Sequence, residues 1–171
     1  MGNLLFSPSG RVNPDEFMRA AYVLVAVTFL INLMPMVSVA LGSILKLLVI
    51  VTLYCWTVLF IKRYRDGGKS GWWVFAPIVV FLIAAAIHNA VVPGIFAPDL
   101  YAEMQSAIEE ATMEGSFVGI IAASKEYAEP LAKKIALPSS AIYAVMSLAI
   151  AFVFNAMIKH DPQDNEFGPA R

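Results

Sequence analysis

The chain has 171 residues, 59% hydrophobic and only 15% charged, with a net charge of −1 and a mean hydropathy of +0.70. A soluble domain carries nearer a quarter charged residues because its surface must be wetted, so the principal solvent of this chain is lipid. Its near-zero charge excludes a nucleic-acid binder, its single cysteine a disulfide scaffold, and its hydropathy a disordered chain.

In chain order, the first expected element is a helix starting at Asn13-Pro14-Asp15-Glu16. Asn13 is placed to cap, Pro14 suits the first helical position, and Glu16 is spaced to reach back as in a capping box. Phe17 opens the apolar face, while Gly10-Arg11 just before it has no local need for an arginine.

Long stretches without Asp, Glu, Lys or Arg follow at 20–45, 70–98 and 135–158. A spanning helix needs about 20 apolar residues, so each is long enough. A fourth stretch, 43–61, holds one charge, Lys46, within a turn of its start, where the side chain can snorkel to the interface. Gly42-Ser43 reads as the turn between the first two spans, and Pro35 as a kink in the first. The expectation is an all-α polytopic membrane protein, one domain over 1–171, with four transmembrane helices at about 20–41, 43–61, 72–92 and 138–158 and a tail at 159–171. Ser38-Val39-Ala40 has the look of a signal-peptidase site, but the preceding apolar stretch is too long and Asp15 and Glu16 spoil a basic leader.

Loop charge sets the expected orientation. The N-terminal segment holds Arg11 and Arg19, the loop after the second span Lys62, Arg63, Arg65 and Lys69, and the tail Lys159 and Arg171. With four spans these share one face, which is therefore cytoplasmic, both termini included. The opposite face carries Lys46, Lys125, Lys133 and Lys134 against seven acids, and in a Gram-negative cell it is periplasmic.

Between spans three and four, residues 93–137 form the expected periplasmic insertion. Leu100, Tyr101, Met104, Ile108 and Ala111 recur at helical spacing, with Asp99 as a start signal and Gly115 as a stop. A weaker pattern, Phe117, Ile120, Ile121 and Ala128, runs toward Pro130. The reading is a short amphipathic helical hairpin resting on the membrane surface or the spans, either as a packed cover or as a docking face.

The densest polar stretch is residues 62–73. Gly68-Lys69-Ser70 evokes a phosphate-binding loop, but Arg63 stands where the earlier glycine is required and a membrane helix precedes it. Asp66-Gly67-Gly68 reads as a turn, and Trp72 and Trp73 suit the headgroup zone. The tail Asp164-Asn165-Glu166-Phe167-Gly168-Pro169 contains an aromatic that needs something to pack on.

Together these motifs resemble the bacterial inner-membrane family known as domain of unknown function 805. That family opens with Gly-Arg and a Glu-Phe helix start, here Gly10-Arg11 and Glu16-Phe17. Its central signature, a basic pair, Leu-His-Asp, three residues and Ser-Gly-Trp-Trp, is met at Lys62, Arg63, Asp66, Ser70, Gly71, Trp72 and Trp73. It closes with Asn-x-aromatic-Gly-Pro, met at Asn165, Phe167, Gly168 and Pro169. The motifs leave residues 95–137 uncovered. Arg65 replaces the family's histidine and Met18 an aromatic, and the acidic loop is longer than the family leads one to expect. The resemblance implies topology and carries no activity.

Two groups of residues are candidate sites. The threaded topology puts Arg11, Arg63, Arg65, Asp66, Lys69, Trp72, Trp73 and Asn165 on the cytoplasmic face. There Asp66 pairs with Arg11 or Arg63 in a structural cap, or the cations receive an anionic headgroup or a partner's acidic segment. Within the spans lie Asn32, His88, Asn89 and Asn155, read as interhelical hydrogen-bonders or as a polar path, and Cys55, read as an apolar filler. No cofactor motif, metal-ligand spacing or base–nucleophile pair is legible. The expected function is a non-enzymatic accessory or assembly subunit whose partners are the lipid bilayer, anionic lipid, and another membrane protein or itself. The alternative is a small oligomeric transporter or channel-like protein.

Overall fold

The computed structural model describes residues 2–45 and 47–169, so the expected snorkelling of Lys46 and the tail charge of Arg171 lie outside the described residues. Those described are helical, with short 3-10 turns and one isolated bridge between Asn165 and Gly168. A short helix, α1 (Gly2–Leu5), leads to α2 (Pro14–Leu33). The start of α2 follows its local code: the Asn13 side chain accepts the Glu16 N–H at 2.8 Å and Pro14 takes the first turn. The capping box is half closed, because Glu16 Oε2 is buried and finds no partner.

Pro35 ends α2 instead of kinking it. A proline has no N–H to give and its ring obstructs the preceding turn, so the chain passes into a 3-10 turn, Met34–Met36. The reversal between the first two long helices is therefore here, and not at Gly42-Ser43, which lies inside α3 (Val39–Leu45). Gly42 is needed for a different reason: a Cβ there would stand 2.9 Å from the Pro35 ring and 2.9 Å from its backbone nitrogen.

After α3 come α4 (Leu48–Asp66), a 3-10 turn at Gly71–Val74, and α5 (Phe75–Phe96). Ser70 caps the 3-10 turn through the Trp72 N–H, and Pro93 lies inside α5, so the third long helix runs past its expected end. Three segments are long and apolar enough to cross a membrane, Pro14–Met36, Gly71–Phe96 and Phe117–Met157. The expected second span is not among them, because α4 ends in Lys62, Arg63, Arg65 and Asp66 and is free of charge only over 48–61.

The largest departure is in the insertion. Its first helix, α6 (Pro98–Met113), is present with Asp99 in the first turn, and Gly115 at φ +67° makes the stop. The second does not end near Pro130: α7 (Phe117–Met157) is continuous for 41 residues and contains both Pro130 and Pro138. Hairpin arm and last span are one helix. The apolar faces of the hairpin also meet each other. Ala111 of α6 and Ala123 of α7 are buried, and a Cβ on Gly119 would touch the Ala111 methyl at 3.0 Å.

The core lies toward one end of the bundle. Phe17, Ala20, Ala21 and Leu24 of α2 pack with Cys55, Leu59, Phe60 and Tyr64 of α4 and with Ala151 and Ile158 at the end of α7. Phe60 takes Phe17 edge-on at 5.1 Å and Phe154 at 6.2 Å. Farther from that end the helices expose large apolar side chains, Leu82, Ile83 and Ile87 of α5 among them. A water-exposed monomer does not sustain such a continuous apolar surface, and lipid does.

Candidate functional site

Asp66 closes α4 and is completely buried. Its Oδ1 accepts from Arg11 Nη2 at 3.2 Å and its Oδ2 from Arg63 Nη1 at 2.9 Å, so it pairs with both arginines at once. Both guanidiniums are themselves almost wholly buried. His160, just after the last helix, adds Nδ1 to Oδ2 at 2.7 Å. Burying a charge is costly unless it is paired and hydrogen-bonded, and most of the remaining donors have partners, Arg11 Nε being the one that is buried without any among the described residues. Arg11 Nη1 gives to the Gln163 carbonyl at 2.6 Å and Nη2 to the Asp161 carbonyl. Arg63 Nη2 gives to the Asn155 carbonyl at 3.1 Å and to that of Ile158. Burial alone disfavours the Arg63 charge, and Asp66 acts in the opposite direction.

The cluster thus ties four separate stretches to one point: the N-terminal segment, the end of α4, the end of α7 and the tail. Gly67 lets the last two approach, since a Cβ there would lie 2.6 Å from Ile158 Cγ2 and 2.9 Å from the Lys159 carbonyl. The Asp161 N–H reaches the Asp66 carbonyl at 3.1 Å. Hydrogen bonds from the Gln163 N–H and then from the Asn165 amide hold the Asp161 carboxyl below the usual aspartate range.

The other expected members stand around this cluster. Asn165 gives its amide to the Arg65 carbonyl at 3.1 Å and to Asp161 at 3.3 Å. Arg65 is half-buried outside, its guanidinium 5.5 Å from the centre of the Phe167 ring and bonded to the Pro8 carbonyl at 2.5 Å. The tail's aromatic therefore has its packing partner. Lys69, Trp72 and Trp73 are exposed and take no part in the buried network; the Lys69 ammonium lies 5.9 Å from the Trp73 ring centre.

Of the four expected intramembrane polar residues, Asn155 is an interhelical hydrogen-bonder, one of the two readings expected of it, and it acts at the cluster. Its Oδ1 accepts from Arg63 Nε at 2.5 Å and its amide gives to the Pro14 carbonyl at 3.2 Å, so it joins α2, α4 and α7 at the cluster. The other three gather around Tyr143 of α7. His88 bonds Ser139 at 3.2 Å and packs its ring 4.0 Å from that of Tyr143, whose hydroxyl gives to Asn89 at 3.1 Å. Asn32 lines a small cavity with Thr28, Ser140, Tyr143 and Ser147, and His88 Nδ1 is buried without a partner. Cys55 is buried in the core, as expected of a filler.

Sequence reasoning missed His160 and Asp161. The available signal was their position: His160-Asp161 directly follows the last span, so any threading that placed Asp66 on that face also placed them there. Lys62 is another omission; it is buried and gives its ammonium to the Asn3 carbonyl at 2.5 Å, fixing α1.

Long apolar helices, an exposed apolar belt and a buried ion cluster joining the chain ends define a helical membrane protein closed at one end by a polar clasp. The chain belongs to the protein family of unknown function DUF805, whose profile matches residues 5–169. That match runs through 95–137, which the short motifs had left uncovered. No curated protein and no solved structure matches the chain.

Proposed function

We propose that the protein is a non-enzymatic accessory or assembly subunit of the bacterial inner membrane, with four spans and both termini in the cytoplasm. The observation that carries this reading is the use made of the buried charges: the donors of Arg11 and Arg63 go mainly to Asp66, Asn155 and main-chain carbonyls that fasten the chain to itself. Such a clasp builds a fixed platform. It also supports the four-span threading, because α2 and α5 begin, and α4 and α7 end, at the clasped end. For α2 to leave that end and α4 to return to it, α3 and α4 together make the return crossing. The surplus of Lys and Arg on this side assigns it to the cytoplasm.

Arg11 and Arg63 are buried out of reach of the surface, so an anionic headgroup falls to the exposed rim, where Lys69, Trp72, Trp73 and half-exposed Arg65 stand. Each exposed cation near an anionic leaflet contributes about 1 kcal/mol. The test is extraction from native membranes into detergent-free lipid particles, with mass spectrometry of what co-purifies. A stoichiometric membrane-protein partner, or an anionic lipid lost in Lys69→Ala and Arg65→Ala, is the expected result; a homo-oligomer with neither refutes the reading.

A second reading, a small transporter or channel-like protein, is favoured by the Asn32 cavity and the unpartnered nitrogen of His88. It requires cysteines placed at Asn32 and Ser147 to react with water-soluble thiol reagents in intact membranes, whereas a dry bundle leaves them unreactive.

A further inference from the structure

At 1.5 Å per residue, the 41 residues of α7 measure about 60 Å, twice the roughly 30 Å of a bilayer's hydrocarbon. The second half of α7 pairs with α5, where Ser139 and Tyr143 meet His88. Its first half pairs with α6, the helix that continues from the end of α5. On the membrane reading, the α6–α7 hairpin stands out from the bilayer and carries its turn at the far tip. The two helices satisfy each other along their length but not there. Met113, Phe117, Val118 and Ile121 are 80%, 74%, 77% and 52% exposed, the first at the end of α6 and the others in the first turns of α7. Four large apolar side chains grouped at the end of a projecting hairpin are a contact surface without its partner.

The charge around the tip says what partner fits. From Ser70 to Ser124 the chain contains no Lys or Arg and five acids. Three of these, Glu109, Glu110 and Glu114, border the tip; all three are exposed and none is ion-paired among the described residues. An anionic membrane surface is repelled by this rim, and a second copy brings carboxylates against carboxylates. A chain that presents an apolar anchor among Lys and Arg is matched in both respects.

We propose that the tip of the α6–α7 hairpin is the docking site for a basic, apolar-anchored segment of another protein. The proposal rests on the accessory-subunit reading and names the chemistry of its partner. The test places a photo-crosslinking residue at Val118 of the full-length protein in its native membranes. The expected product is a single adduct to a different polypeptide, with the cross-linked peptide rich in Lys or Arg beside apolar residues. Its yield falls by about tenfold or more in Phe117→Ser and in the triple variant Glu109→Gln, Glu110→Gln, Glu114→Gln. All four positions are exposed, so the variants keep the fold, and helical circular dichroism checks this. An adduct of twice the chain's mass, adducts to lipid alone, no adduct, or a yield unchanged in the triple variant each overturns the proposal. If the tip variants retain a co-purified partner at wild-type stoichiometry, this docking site fails alone; a wild-type protein with neither a partner nor a retained anionic lipid removes the accessory reading as well.

Discussion

Replacing Asp66 with alanine leaves two guanidiniums, Arg11 and Arg63, each about 1% exposed, without the carboxylate that both face. Three interactions go at once: the bonds from Arg11 and Arg63 and the 2.7 Å bond from His160. Singly, hydrogen bonds to a charged group contribute about 1.5–3 kcal/mol, but they share one acceptor and do not add. The better guide is the cost of removing one member of a buried ion cluster, about 3–5 kcal/mol, because the stranded charges stay out of water. At about 2–4 °C per kcal/mol for a chain of this size, the melting temperature should fall by roughly 6–20 °C. The protein supplies its own probe: Cys55 is its single cysteine and is buried in the core, so a thiol-reactive fluorophore reports unfolding directly. Asp66→Asn, similar in shape but uncharged, should lose most of the same stability. Converting Arg11 and Arg63 to methionine in the alanine background should recover part of it, since an apolar replacement no longer strands a charge. Melting of Asp66→Ala within about 1 °C of wild type would refute the account, given the conversion above.

Gly67→Ala drives a methyl to 2.6 Å from Ile158 Cγ2 and 2.9 Å from a main-chain oxygen, and should cost about 1–3 kcal/mol and speed protease cleavage of the tail. Gly42→Ala meets the Pro35 ring and backbone at 2.9 Å, and its melting point in the same thiol assay should fall by a similar overpacking cost of about 1–3 kcal/mol. The tail should also respond to acid. The Asp161 carboxyl is held low in the folded chain, so its stabilisation is full above the ordinary aspartate value of about 3.9 and disappears as pH falls through the lower folded value. Hydrogen exchange across residues 161–168, followed from pH 6 to pH 3, should show tail protection falling only toward the acid end, and Asp161→Asn should flatten that dependence.

Local codes were legible because they act over a few residues. Asn13-Pro14 starts a helix wherever it sits, Gly115 stops one by adopting positive φ, and Arg11 without a local partner signals a distant one. Signals that depend on a neighbour were misread. Gly42-Ser43 looks like a turn in sequence, but Pro35 had already reversed the chain and Gly42 is small so that Pro35 can touch it. Pro130 looks like a stop, yet α7 runs through it. A proline loses one hydrogen bond, and packing against α6 and α5 along the helix outweighs that loss. His160 carried no motif, and its only signal was its position just after the last span.

By itself the sequence determined the solvent of this protein, its helical class, the positions of its longest apolar segments and the family to which it belongs, because composition and charge placement are additive properties of a chain. Only the tertiary structure decided that Asp66 holds two arginines and a histidine together, that Asn155 belongs with them, and that hairpin and last span are a single helix. Those outcomes depend on which atoms come within about 3 Å of one another, the working distance of a hydrogen bond. No periodicity along the chain encodes that distance between residues 11, 66 and 160.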